Sequence, residues 1–105
     1  MTVSDLATAL ATTKYSFAHY AWSHAPSGDY GTYAEDEGID LTADSVHAEK
    51  GLEVAVDYFT RDDSGTPQTT IEAVLDGLNT PWYLDTIQYE DTTGYIHYTW
   101  IVGVV

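Results

Sequence analysis

The run LEVAVDYF at residues 52–59 puts Leu52, Val54, Val56 and Tyr58 on one side of an extended chain and Glu53, Ala55, Asp57 and Phe59 on the other. A period of two marks a half-buried β-strand. Residues 95–105 repeat the pattern, with Ile96, Tyr98, Trp100, Val102 and Val104 on one face and Tyr95, His97 and Thr99 on the opposite one. Two such strands need a layer over their apolar side, and two stretches with helical spacing supply it. Val3, Leu6, Ala7 and Leu10 fall at i, i+3, i+4 and i+7 within residues 3–12. Thr2 or Ser4 caps this segment, Asp5 suits the positive end of its dipole, and Thr12, Thr13 and Lys14 end it. Ile71, Val74, Leu75 and Leu78 form the stripe of a second helix, with Thr66 as its cap, Pro67 in its first turn, and Asn79 and Pro81 as its stop.

The remaining elements are strands. Residues 15–22 (YSFAHYAW) are rich in aromatics, residues 24–31 (HAPSGDYG) in turn formers, and residues 30–34 read as a second strand. Residues 37–48 show no periodicity and read as a long excursion. Residues 82–89 and 95–105 form a hairpin whose turn lies within 90–94, with Gly94 supplying a positive φ. The expected fold is a single α+β domain over 1–105 in the order α-β-β-β-α-β-β, an antiparallel or at most mixed sheet carrying two helices.

Charge narrows the partners. Seventeen acids face three bases, Lys14, Lys50 and Arg61, for a formal net charge of −14. Three cations cannot grip a phosphate backbone by counterion release or hold an anionic bilayer. No apolar run approaches the ~20 residues of a membrane span. The absence of Cys removes disulfides, thiolate metal sites and a thiol nucleophile. Residues 1–10 carry neither a basic n-region nor a long apolar h-region, so the expected compartment is the cytosol or a particle assembled there.

Sites of chemistry are sparse. His19, His24, His47 and His97 lack the i, i+4 spacing of a helical zinc pair and read as strand or surface histidines. Glu35, Asp36, Glu37, Gly38 and Asp40 do not reproduce the offsets of a calcium loop. No serine sits in a G-x-S-x-G turn and no glycine-rich phosphate loop occurs, so no catalytic residue, metal ligand or cofactor is expected. Nine Tyr, three Trp and two Phe exceed what the core is expected to need beside two helices stocked with Leu and Val. Aromatics concentrate at interfaces, which makes Tyr20, Trp22, Tyr30, Tyr33, Tyr95, Tyr98 and Trp100 the expected subunit contacts.

The strand LEVAVDYFTRDD, the helix IEAVLDGLN and the hairpin WYLDTIQYEDTTGYIHYTWIV, together with the Pro-containing segment AWSHAPSGDYGTYAED, resemble the tail terminator (tail-completion, or minor tail) proteins of long-tailed bacteriophages and prophages. The corner at 58–63 and the acidic turn at 89–94 carry the resemblance, which spans most of the chain. It implies a non-enzymatic virion protein of the tail or neck, assembled in the host cytoplasm as a homo-oligomeric, hexameric ring. Such a ring stops polymerisation of the tail tube protein, meets the head–tail connector protein, and lets DNA pass without specific binding. Residues 37–48 would then be a docking arm, and an acidic lumen is expected from Glu35, Asp36, Glu37, Asp85, Glu90 and Asp91. The alternatives are a neighbouring head–tail joining or minor capsid protein, a small acidic protein adapted to high salt, and a polyanion mimic.

Overall fold

Alternation and helical spacing resolve into the expected elements, with different ends. The computed structural model describes residues 1–35 and 52–104. The expectations for residues 37–48, Asp36, Glu37 and His47 therefore lie outside the described residues. Helix α1 spans Val3–Ala11, strand β1 Phe17–His19, β2 Tyr30–Glu35, β3 Leu52–Thr60, helix α2 Thr66–Asp76, β4 Trp82–Tyr89 and β5 Ile96–Val104. The result is a small α+β domain with two helices on a five-stranded sheet of order β1-β2-β3-β5-β4.

Helix α1 opens on a reciprocal cap. The Asp5 backbone N–H donates to Thr2 Oγ1 at 3.2 Å, and the Thr2 N–H donates to Asp5 Oδ2 at 2.9 Å, satisfying two N–H groups that the first turn leaves unpaired. At α2 the cap falls one residue earlier than expected. Gly65, at φ 87°, is the N-cap, and Thr66 is already helical with Pro67 behind it. The helix ends at Gly77, and Asn79 turns the chain away with φ 57°.

The sheet is mixed. Strands β2, β3, β5 and β4 pair antiparallel, but β1 runs parallel to β2 in the register Phe17↔Gly31 to His19↔Tyr33. The expected strand over 15–22 shrinks to three residues because Lys14 (φ 69°) and Tyr20 (φ 71°) both turn the backbone left-handed. The ten residues that follow carry the chain back to the start of β1. This connection is long enough for a parallel return, where a short hairpin loop would have forced an antiparallel one.

Both helices lie on one face of the sheet. Leu6, Leu10, Ile71 and Leu75 are fully buried against Val54, Val56, Tyr58, Trp100 and Val102. Tyr98 and Val104 complete the cluster. Trp100 and Tyr58 are its largest fully buried side chains. This corrects the reading of Tyr95, Tyr98 and Trp100 as subunit contacts, since they are 7 %, 5 % and 0 % exposed. The helices contribute only four fully buried side chains, so the core has room for large strand aromatics. Trp100 Nε1 donates to Glu72 Oε2 at 2.9 Å, which satisfies the one polar atom of the indole.

Gly31 is a packing requirement. A Cβ there would stand 2.6 Å from Phe17 Cδ2 and 2.8 Å from the Asp57 carbonyl oxygen, so the Phe17 ring lies across bare β2 backbone. Gly31→Ala is expected to destabilise the fold by about 1–3 kcal/mol, as overpacked sites do, and urea unfolding measures it. A neutral result would mean that β1 does not seat on β2 as described.

Burial also makes the fold alkali-sensitive. The Tyr58 hydroxyl donates to Asp29 Oδ2 at 3.3 Å, and Thr60 Oγ1 donates to the same oxygen at 2.7 Å. Burial first, then the Asp29 charge, push the Tyr58 phenol well above its ordinary value. Tyr98 is raised by burial and then by Asp62, Glu72 and Asp63. Because the folded state holds these phenols neutral, their stabilisation is complete below the unfolded tyrosine value of about 10 and falls as pH rises beyond it. Melting temperature is therefore expected to drop steeply above about pH 10. Tyr58→Phe should flatten part of that drop, and an identical pH profile in this variant would refute the assignment.

Candidate functional site

Two surfaces can do something beyond holding the fold. The first is the free edge of β4. β5 pairs with one side of this strand, and among the described residues no strand pairs with the other. Its register slips between Leu84 and Thr86, leaving Asp85 as a bulge. The sequence carries the trace of that slip. Trp82 and Leu84 share one parity, while Ile87 and Tyr89 share the other, so one residue must be skipped for all four to fall on the same face of the sheet. Tyr83, Ile87 and Tyr89 are 52 %, 51 % and 66 % exposed, three of the four exposed large hydrophobics among the described residues. Reading aromatics by their abundance missed this strand, whereas the parity break would have singled it out. The opposite edge of the sheet is the three-residue β1.

The second surface is the sheet face away from the helices. There the register aligns residues in rows. Tyr30, Phe59, His97 and Gln88 form one row across β2, β3, β5 and β4, and Thr32, Asp57, Thr99 and Thr86 form the next. Tyr30 stacks on Phe59 with ring centroids 4.7 Å apart, and Phe59 stacks on His97 at 4.1 Å. His97 Nε2–H donates to Asp57 Oδ1 at 2.8 Å, and Thr99 Oγ1 donates to the same oxygen at 2.7 Å. His97 Nδ1 stands 3.9 Å from Glu90 Oε2. The loop after β1 brings Tyr20 and Trp22 over this row, closing a cleft of about 380 Å³. Trp22 is fixed by its Nε1–H, which donates to the Gly31 carbonyl at 2.8 Å.

Tyr95 underlies the same cluster. Its ring meets Tyr30 and Phe59 edge-on, and its hydroxyl donates to the Gly28 carbonyl at 2.8 Å. The Arg61 guanidinium lies 4.0 Å over the Tyr95 ring, while its Nε donates to the Thr93 carbonyl at 2.9 Å and its Nη1 to the Ser27 carbonyl at 3.2 Å.

Of the expected subunit contacts, Tyr20, Trp22 and Tyr30 gather at the cleft. Tyr33 is half-buried on the helix side, its ring stacked on His19 at 4.7 Å. The acids expected to line a lumen that lie among the described residues, Glu35, Asp85, Glu90 and Asp91, are not brought together. Glu35 ends β2 at one end of the sheet, where the hydrogen bond with His19 at 2.7 Å holds its carboxyl below the usual range. Glu90 and Asp91 lie in the turn at the other end, and Asp85 sits on the outer strand.

Among the described residues, no group of three or more His, Asp or Glu is placed to hold a metal ion, and no helix is long and apolar enough to cross a membrane. Comparison with protein-family models, with curated proteins and with solved structures found no match.

Proposed function

We propose that this chain is a structural subunit that assembles edge to edge into a ring, in the role of a phage tail terminator that closes the head-proximal end of the tail tube. The observation that carries assembly is β4, a free eight-residue edge holding three exposed large hydrophobics. Soluble proteins blunt such edges with charges, prolines or β-bulges; here one bulge at Asp85, the only charge on the strand, interrupts an edge that is otherwise apolar or uncharged on both sides of it. The terminator role rests on the resemblance of the β3, α2 and β4–β5 segments to that family.

Strand directions favour a closed, head-to-tail contact. β1 and β4 run in opposite senses within one sheet, so β4 of one subunit meets β1 of the next antiparallel when the sheet continues sideways. Such a contact joins two different patches, and it yields a ring when the rotation closes. Tyr20, 60 % exposed beside β1, would lie at the same seam.

Light scattering coupled to size exclusion, with negative-stain imaging, tests the reading directly. Rings are expected at high protein concentration in moderate salt, and they should stack on the end of tube protein. A strictly monomeric species with tube protein present would refute the proposal.

A further inference from the structure

We propose that the cleft on the open sheet face binds the guanidinium of an arginine side chain presented by a partner protein. The proposal rests on the cleft alone and stands whether or not the chain forms rings.

The walls and floor suit a planar cation. Trp22, Tyr30 and Phe59 offer aromatic surface, Tyr20 stands at the rim, and Asp57 lies at the floor with His97 beside it. Asp57 Oδ1 takes both internal donors, His97 Nε2–H and Thr99 Oγ1–H. Among the described residues no donor reaches its second oxygen, and the side chain keeps 24 % of its surface open. An aromatic face attracts a cation placed over it, and more strongly where water is partly excluded. Guanidinium combines flat stacking with a two-pronged approach to a carboxylate, whereas an ammonium offers only a point charge.

The same aromatic cluster already holds one guanidinium. Arg61 sits over Tyr95, whose ring touches the edges of Tyr30 and Phe59. Arg61 is the only arginine in the chain, and its Nε and Nη1 are tied to Thr93 and Ser27. A second copy therefore has no arginine to offer, and the occupant must belong to another protein. A net charge of −14 draws basic partners to this surface.

An NMR titration of the full chain with acetyl-Gly-Arg-Gly-amide tests the assignment, at mildly alkaline pH and physiological salt, which screens loose surface association. The expected result is a set of saturable shifts centred on Trp22, Asp57, Phe59 and His97, with the citrulline peptide giving none. The lysine peptide should bind about tenfold more weakly, for want of stacking and a second prong. Asp57→Asn should weaken the arginine peptide by about tenfold or more. Trp22→Leu, which keeps every charge, should also weaken it, so the proposal does not hang on one variant's folding. Equal binding of arginine and citrulline peptides, or shifts scattered over the acidic surface, would overturn it. So would free arginine binding more tightly than the capped peptide, which would make the occupant a metabolite.

Discussion

Trp100→Ala is expected to lose about 3–5 kcal/mol of stability, the range for emptying a large aromatic site in a core. A domain of this size holds only about 5–15 kcal/mol in total, so the variant should be mostly unfolded at modest urea concentrations. Three features put the effect at the upper end. Trp100 is fully buried, its ring lies parallel to Tyr98 with centroids 5.6 Å apart, and its indole N–H donates to Glu72 on α2. Truncation would leave a void between sheet and helix and remove one donor from a carboxylate that otherwise accepts from Gln68 Nε2 at 3.1 Å. Trp100→Phe separates these terms. Most of the ring stays, the Glu72 donor goes, and about 1–2 kcal/mol should be lost, the scale of an unmade hydrogen bond to a charged group. Urea unfolding followed by circular dichroism measures both variants. A loss below about 1 kcal/mol for Trp100→Ala would mean the side chain does not fill the core.

The distinction matters because Trp100 and Tyr98 look, by composition, like interface aromatics. Their phase decides otherwise. Tyr98, Trp100, Val102 and Val104 share the parity of the buried face of β5, and the same parity rule placed Val54, Val56 and Tyr58 correctly on β3. Position within the alternation was legible, whereas an estimate of how much aromatic volume the core could hold was not. Only Leu6, Leu10, Ile71 and Leu75 enter the core fully from the helices. Both helices, the hairpin and Gly94 (φ 79°) follow from local pattern. The parallel β1–β2 pair does not, because it depends on two left-handed residues, Lys14 and Tyr20, neither of which is a glycine or an asparagine.

The cleft shows the same division. Period two alone puts Asp57 with Phe59 and His97 with Thr99. That the two pairs face each other depends on the β3–β5 register, Asp57↔Thr99 and Phe59↔His97, which no single segment encodes. Trp22 joins them only because the loop after β1 folds back over the sheet, a long-range return set by packing. The acids were legible as a net charge but not as a surface, since Glu35 and the Glu90–Asp91 turn end on opposite sides of the sheet.

Ile87→Lys is expected to abolish the proposed edge-to-edge assembly while leaving the monomer folded. Ile87 is half exposed on β4, so the monomer gives up little buried surface when it is replaced. At a paired edge the same lysine would be enclosed against apolar neighbours, and an unpartnered buried charge costs about 3–5 kcal/mol. That penalty weakens each contact by about two to four orders of magnitude. The sign of the substitution sharpens the test. Lysine reduces the net charge of −14, so general repulsion between subunits falls, and a purely electrostatic barrier to assembly would be relieved. Loss of the ring despite this relief can come only from the edge itself. Salt acts in the opposite direction on the parent chain, since screening of exposed like charges beyond about 10 Å at 0.1 M should favour rings. Sedimentation velocity across a salt series, for parent and variant side by side, reads both effects. The parent is expected to shift toward the ring as salt rises, with the variant remaining monomeric throughout. A variant that assembles as well as the parent would remove β4 from the interface.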